Sequence, residues 1–236
     1  MALNHGTKPI VTDGLVLCLD AADENSYPGS GTTWTDLSGE GNNATLSGPT
    51  YNASGYFTFD GSNDYADTSN VLGLTDWPFT FSAWVRSPSS ASGTDNIMAL
   101  ADQSTNIRQC YMAIATNDKF LITIQNSGYL FVYCDDDSDV RDSLWYNYVV
   151  SYISNTERKA YINGVLNSSF SAAVGSITTD IAFSSLWDSF DIGRLGRSSH
   201  TDYLKGDIAI SCVYNRELTA AEVKQNFNAH RHRFGV

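Results

Sequence analysis

Apolar residues in this chain recur at every second position in short runs, with Gly, Ser, Asn and Asp filling the stretches between. Period two is the spacing of a strand that buries one face, because successive side chains point to opposite sides of a sheet. The clearest run is Phe79-Thr-Phe-Ser-Ala-Trp-Val85: Phe79, Phe81, Ala83 and Val85 share one face, and Thr80, Ser82, Trp84 and Arg86 the other. Further strands are predicted over Leu15–Leu19, Ala44–Leu46, Ile97–Ala101, Tyr111–Ala115, Phe120–Ile124, Tyr129–Tyr133, Trp145–Ile153, Phe190–Ile192 and Leu204–Tyr214. Phe57, Phe59 and Tyr65 read as core positions flanking Asp60-Gly-Ser-Asn-Asp64. Gly61 there can take positive φ, and Asp60, Asn63 and Asp64 can hydrogen-bond their own backbone, so the segment predicts a strand, a tight turn and a strand. Asn163-Gly164, set between alternating residues, predicts a type I′ hairpin, whose two turn residues both need φ > 0.

The pattern changes once, near the end. Thr219-Ala-Ala-Glu222 is a capping box, Leu218 and Val223 form its hydrophobic staple, and Val223 and Phe227 lie four residues apart. A helix is therefore predicted over about 220–230, docked through that apolar stripe. Residues 1–12 are polar, contain Pro9 and have no period of their own, which suggests an arm docked through Ile10 and Val11. Residues 21–48 form a long irregular stretch, with Tyr27, Trp34 and Leu37 spaced to pin it to the core. Strand after strand with one terminal helix is an all-β, two-sheet antiparallel sandwich, here one domain over 13–236 behind the arm.

Charge narrows the partners. A net charge of −12 argues against nucleic acid or an anionic membrane surface, both of which call for clustered Lys and Arg. There is no run of 18 apolar residues to span a membrane and no basic-then-apolar start of the signal-peptide kind. Cys18, Cys110, Cys134 and Cys212 are widely spaced and form no CxxC. Cys18 and Cys212 lie inside apolar runs, where a thiol behaves as a small hydrophobe, so free core thiols from a reducing cytosol are expected, with one or two disulfides as the alternative.

The ordered set Gly14-Leu-Val-Leu-Cys-Leu-Asp-Ala21, Trp34-Thr-Asp-Leu-Ser-Gly39, Phe59-Asp-Gly-Ser-Asn-Asp-Tyr65 and Phe79–Val85 resembles the concanavalin A-like lectin/glucanase superfamily. Tyr161-Ile-Asn-Gly164 and the run from Gly206 to Leu218 continue that likeness, specifically to its laminin-G-like branch. The resemblance implies a jelly-roll sandwich. The two chain ends, Ile10–Leu15 and Glu222–Phe234, resemble single-domain virion proteins of tailed phages. That likeness implies a non-enzymatic structural protein on a virion surface, decorating a capsid or forming part of a tail or fibre. Its expected partners are further copies of itself, other virion proteins and glycans. A carbohydrate-binding adhesin unconnected with a particle is the alternative, and a glycoside hydrolase stands last.

The hydrolase reading fails on residue types. Retaining hydrolysis needs two carboxyl groups about 5–5.5 Å apart. The hydrolase branch supplies them from an ExDxE-like strand, and none of the five Glu here falls in such a pattern. Asp135-Asp-Asp-Ser-Asp139 is the nearest imitation; extended, it would place Asp135, Asp137 and Asp139 on one face. The same three carboxylates are candidates for Ca2+, a hard cation that takes oxygen ligands. As an EF-hand loop the segment fails, with Val140 at the Gly position and Tyr146 at the final Glu position. Sugar binding needs an aromatic platform with polar groups at its edge. Tyr129 and Tyr133 beside the aspartates, Trp187 with Asp188, and Tyr203 are the candidates, with Phe131 between the first two.

Overall fold

The computed structural model describes residues 8–126, 128–134, 140–154, 156–168, 170–174 and 187–236. In chain order the strands begin with β1 (Leu15–Asp20), β2 (Thr33–Trp34), β3 (Ala44–Ser47), β4 (Thr50–Asn52), β5 (Tyr56–Asp60) and β6 (Tyr65–Thr68). They continue with β7 (Phe79–Arg86), β8 (Asp95–Ala101), β9 (Arg108–Ile114), β10 (Phe120–Asn126), β11 (Gly128–Cys134) and β12 (Trp145–Tyr152). The last are β13 (Arg158–Ile162), β14 (Val165–Leu166), β15 (Phe170–Val174), β16 (Ser189–Ile192) and β17 (Lys205–Tyr214), before helix α1 (Ala220–Phe234).

These form two antiparallel sheets. One runs β14-β13-β12-β7-β17-β5-β4, with β1 added along β17; the other runs β15-β11-β10-β9-β8-β16-β6-β3-β2. Their inner faces meet in one core that contains Phe57, Phe59, Phe79, Phe81, Val85, Met98, Met112, Phe120, Tyr148, Phe190 and Val213. The alternation of β7 holds: Phe79, Phe81, Ala83 and Val85 enter this core, while Trp84 points to a second cluster on the opposite face. That second face stays dry because α1 covers it with Val223 and Phe227. Trp84 stacks with Phe227, ring centroids 5.6 Å apart, and with Phe234, at 4.1 Å.

The helix follows its sequence signals. The Thr219 side chain accepts from the Glu222 N–H, and the Glu222 carboxylate accepts from the Thr219 N–H at 2.8 Å. It runs past the expected end to Phe234 and stops at Gly235, whose φ of 74° only a residue without Cβ adopts readily. Residues 8–12 lie against it. The Val11 N–H donates to Asn226 Oδ1 at 2.8 Å, and the Tyr214 hydroxyl donates to the Val11 carbonyl at 3.0 Å. Asn163 and Gly164 take φ of 51° and 72° and join β13 to β14 as predicted.

Two expectations change. The Phe57–Tyr65 segment is no hairpin: β5 pairs with β4 and β17, whereas β6 pairs with β3 and β16 in the other sheet. Its turn carries the chain from one sheet to the other, with the Asp60 N–H donating to Asp64 Oδ2 at 3.0 Å. Phe57 and Phe59 are core, but Tyr65 is half-buried beneath the Arg194 guanidinium, 3.4 Å from its ring centroid. In the long stretch, Tyr27 and Trp34 are buried as expected, while Leu37 lies at the surface. The Leu37 backbone, not its side chain, holds that loop, through an N–H donated to the Cys18 carbonyl.

Candidate functional site

The outer face of the nine-stranded sheet is where the molecule leaves room. Ala99, Ala113 and Ala115 project there with Tyr111, Leu121 and Tyr133, so small side chains lower the floor between aromatic ones. In register, Gln109 faces Gln125, and Leu121 faces both Ala113 and Tyr133 across β9, β10 and β11. The wall is the loop from Gly193 to Leu204. Leu195 is buried on the alanines, and the Asn96 N–H donates to the Asp202 carbonyl at 2.9 Å. Arg194 ties the base of the loop through Nε to the buried Asp191, at 2.6 Å.

Between floor and wall lies a cleft of about 430 Å3, lined by Thr94, Gln109, Tyr111, Ala115, Thr116, Leu121, Gln125, Tyr133, Arg197 and Asp202. Its polar groups are poised rather than spent. Gln109 Nε2 donates to Gln125 Oε1, yet Gln109 Oε1 is buried with no hydrogen-bond partner among the described residues. Arg197 donates from Nη2 to Thr201 Oγ1 at 2.9 Å and from Nε to the Ser199 carbonyl at 3.4 Å. No carboxylate of the described residues ion-pairs with it. Burial pushes the Asp202 carboxyl above its ordinary value, with Arg197 pulling the other way. Burial likewise pushes the Tyr111 phenol up to about 12, so it remains a neutral hydrogen-bonding group at physiological pH.

The sequence candidates scatter. Tyr133 lines the cleft, and Tyr129 sits on the same strand opposite Gln125 in register. Tyr203 is half-buried next to Asp202 in the chain. Trp187 is not offered to a ligand: it is buried in the core, edge-on to Trp77 with centroids 5.9 Å apart. Asp188 is exposed and accepts from the Gln103 N–H at 2.9 Å, which makes it a loop anchor. Asp135, Asp137 and Asp139 lie outside the described residues. Among the described residues no group of three or more His, Cys, Asp or Glu side chains could hold a metal ion.

Sequence reasoning missed Gln109, Tyr111, Gln125, Arg197 and Asp202. One signal was available: Gln109, Tyr111 and Gln125 fall at period two on neighbouring strands, on the face opposite Cys110, Met112 and Ile124. A larger hollow, about 620 Å3, lies between Lys8 and α1, lined by Ala221, Lys224, Gln225, Asn228 and Arg231. Its described lining has no aromatic platform.

Fold and cleft together define a lectin-like jelly roll. A profile of the concanavalin A-like lectin/glucanases superfamily matches residues 60–224, and the chain belongs to that family, in its laminin-G branch. The receptor-binding domain of the botulinum neurotoxin C/D mosaic serotype superposes with a TM-score of 0.64 at 14% identity. That match covers 92% of this chain and 51% of the toxin domain. Trypanosoma rangeli sialidase in complex with sialic acid gives 0.67 at 17% identity, covering 93% of this chain and 33% of the sialidase. The chain thus spans about half of the one and a third of the other. No curated protein matches the sequence.

Proposed function

We propose that this chain is a non-catalytic glycan-binding protein whose ligand site is the cleft on β9, β10 and β11. The observation behind this reading is the pairing of an aromatic platform with Gln109 Oε1, which is buried without a hydrogen-bond partner among the described residues. Tyr133 can take the apolar face of a pyranose ring. Gln109, Gln125, Asp202 and Arg197 offer both acceptors and donors to ring hydroxyls, and a buried polar group gains most from a ligand that satisfies it. Hydrolysis is disfavoured, since the described lining contains one carboxylate, Asp202, where the reaction uses two. The toxin domain that superposes is named as a receptor-binding domain, which agrees with a ligand-binding role for this fold.

The test is a glycan array followed by calorimetry on any glycan bound. Tyr133→Ala and Arg197→Ala should each weaken binding roughly tenfold or more, since each removes a contact of about 1–3 kcal/mol. A blank array, or binding untouched by both variants, would sink the reading.

We place this activity on the surface of a virus particle, as part of a capsid decoration, tail or fibre. The supporting observation is the division of labour between faces. The cleft lies outside the nine-stranded sheet, while the arm and α1 lie outside the eight-stranded one, with Lys8, Lys224 and Arg231 around the hollow between them. In a chain of net charge −12, that basic side suits an acidic neighbour, either another copy or another virion protein. Purified particles should contain the protein, cross-linked to its neighbours through Lys8 or Lys224. A soluble monomer absent from particles would overturn this placement.

A further inference from the structure

We infer that Cys18 and Cys212 form a redox clasp: two buried thiols that close to a disulfide when the protein meets a low-molecular-weight disulfide oxidant. The two residues are direct cross-strand partners on β1 and β17, and their Sγ atoms lie 3.6 Å apart. The backbone explains the approach. The Cys18 N–H donates to Asp36 Oδ1 at 2.8 Å, and the Cys18 carbonyl accepts the Leu37 N–H at 2.8 Å. Both polar groups of Cys18 therefore point away from β17, which makes this a non-hydrogen-bonded antiparallel pair. Such pairs hold their Cα atoms about 4.5 Å apart, within the range that a disulfide spans. No strand has to shift; the sulfurs alone move together.

The other two cysteines lack this arrangement. Cys110 on β9 and Cys134 on β11 have β10 between them, two strand spacings or about 10 Å. Both thiols are buried, and the outer edge of β1 at Cys18 is covered by Asp36 and Leu37, so an oxidant reaches the clasp as that loop opens. The hydrogen bond to the Cys18 thiol, and then burial, push the Cys212 thiol above its ordinary value, with smaller contributions from Asp20 and Asp36. Closure in the folded state is consequently slow at neutral pH and quicker in mild alkali, where more thiolate forms.

The chemistry balances through thiol–disulfide exchange. One cysteine thiolate attacks a sulfur of the oxidant, whose S–S bond breaks to release one thiol. The second thiolate then displaces the other half of the oxidant and forms the Cys18–Cys212 bond. Two protons pass from the cysteines to the two released thiols, the cysteines are oxidised, and the oxidant is reduced by two electrons. The product ties residue 18 to residue 212, a separation of 194 residues that encloses nearly the whole sandwich.

The experiment treats the folded full-length chain with oxidised glutathione in mild alkali, beside a sample kept in dithiothreitol. Expected results are a loss of two titratable thiols of four, a peptide map joining Cys18 to Cys212, and a melting temperature raised by roughly 5–15 °C. Dithiothreitol should reverse all three. Cys110→Ser should keep the shift, and Cys18→Ser should abolish it. Four surviving thiols, glutathione retained on either cysteine, a bond to Cys110 or Cys134, a covalent dimer, or a link without a rise in melting temperature would each overturn the clasp. The thiol count and the peptide map need no variant, so they decide between these outcomes even where a mutant misfolds.

Discussion

Single residues are where this protein's electrostatics become testable. The Arg216 guanidinium, 2.7 Å from Glu222, and the Thr219 N–H together hold the Glu222 carboxyl at about 2, below its ordinary range. A carboxyl depressed in the folded state stabilises it above its unfolded value and loses that contribution as pH falls through the folded one. The melting-temperature difference between the native chain and Glu222→Gln should thus be full at neutral pH. It should shrink below about pH 4.5 and vanish near pH 2, as followed by helical circular dichroism. A gap that stays constant over this window would mean the capping box contributes nothing through charge. The same local chemistry was legible in the sequence, because a capping box involves residues three apart. Arg197 was not: whether it ion-pairs depends on which carboxylates lie nearby in space, and sequence distance does not report that.

At the scale of elements, α1 holds the outer face of the eight-stranded sheet dry. Phe227 stacks on Trp84 with planes 14° apart, and truncating it opens a cavity under the helix. Phe227→Ala should cost about 3 kcal/mol in denaturant unfolding and shift Trp84 emission to the red. Unchanged stability would show that the helix is ornamental. The amphipathic stripe Val223–Phe227 announced that the helix docks, and the period-two strands announced sheets. What the strands could not announce was partnership. Phe57–Phe59 and Tyr65 read as two arms of one hairpin, yet they belong to different sheets, since a tight turn can reverse a chain or step it across a sandwich. Trp187 likewise read as a sugar platform. An exposed and a buried tryptophan look alike until the packing against Trp77 is known.

For the whole molecule, the decisive feature is that its two outer faces differ. Alanines and a loop wall hollow one; the helix and the arm fill the other. Glycan binding and attachment to a neighbour should therefore separate by mutation. Tyr133→Ala should lower glycan affinity while particle incorporation is unchanged, and charge reversal at Lys224 should do the opposite. Simultaneous loss of both in a well-folded variant would argue against two independent surfaces.

The sequence by itself determined the two-sheet sandwich, the Asn163-Gly164 turn, the terminal helix and the net charge of −12. Each depends on local periodicity, local turn chemistry or a sum over the chain. Only the tertiary structure decided which strands pair, which aromatics remain for a ligand, that Arg197 has no ion pair among the described residues, and that Cys18 meets Cys212. Those facts are distances between residues far apart in the chain. Register across β1 and β17, and the packing of the Gly193–Leu204 loop on the alanines, settle them.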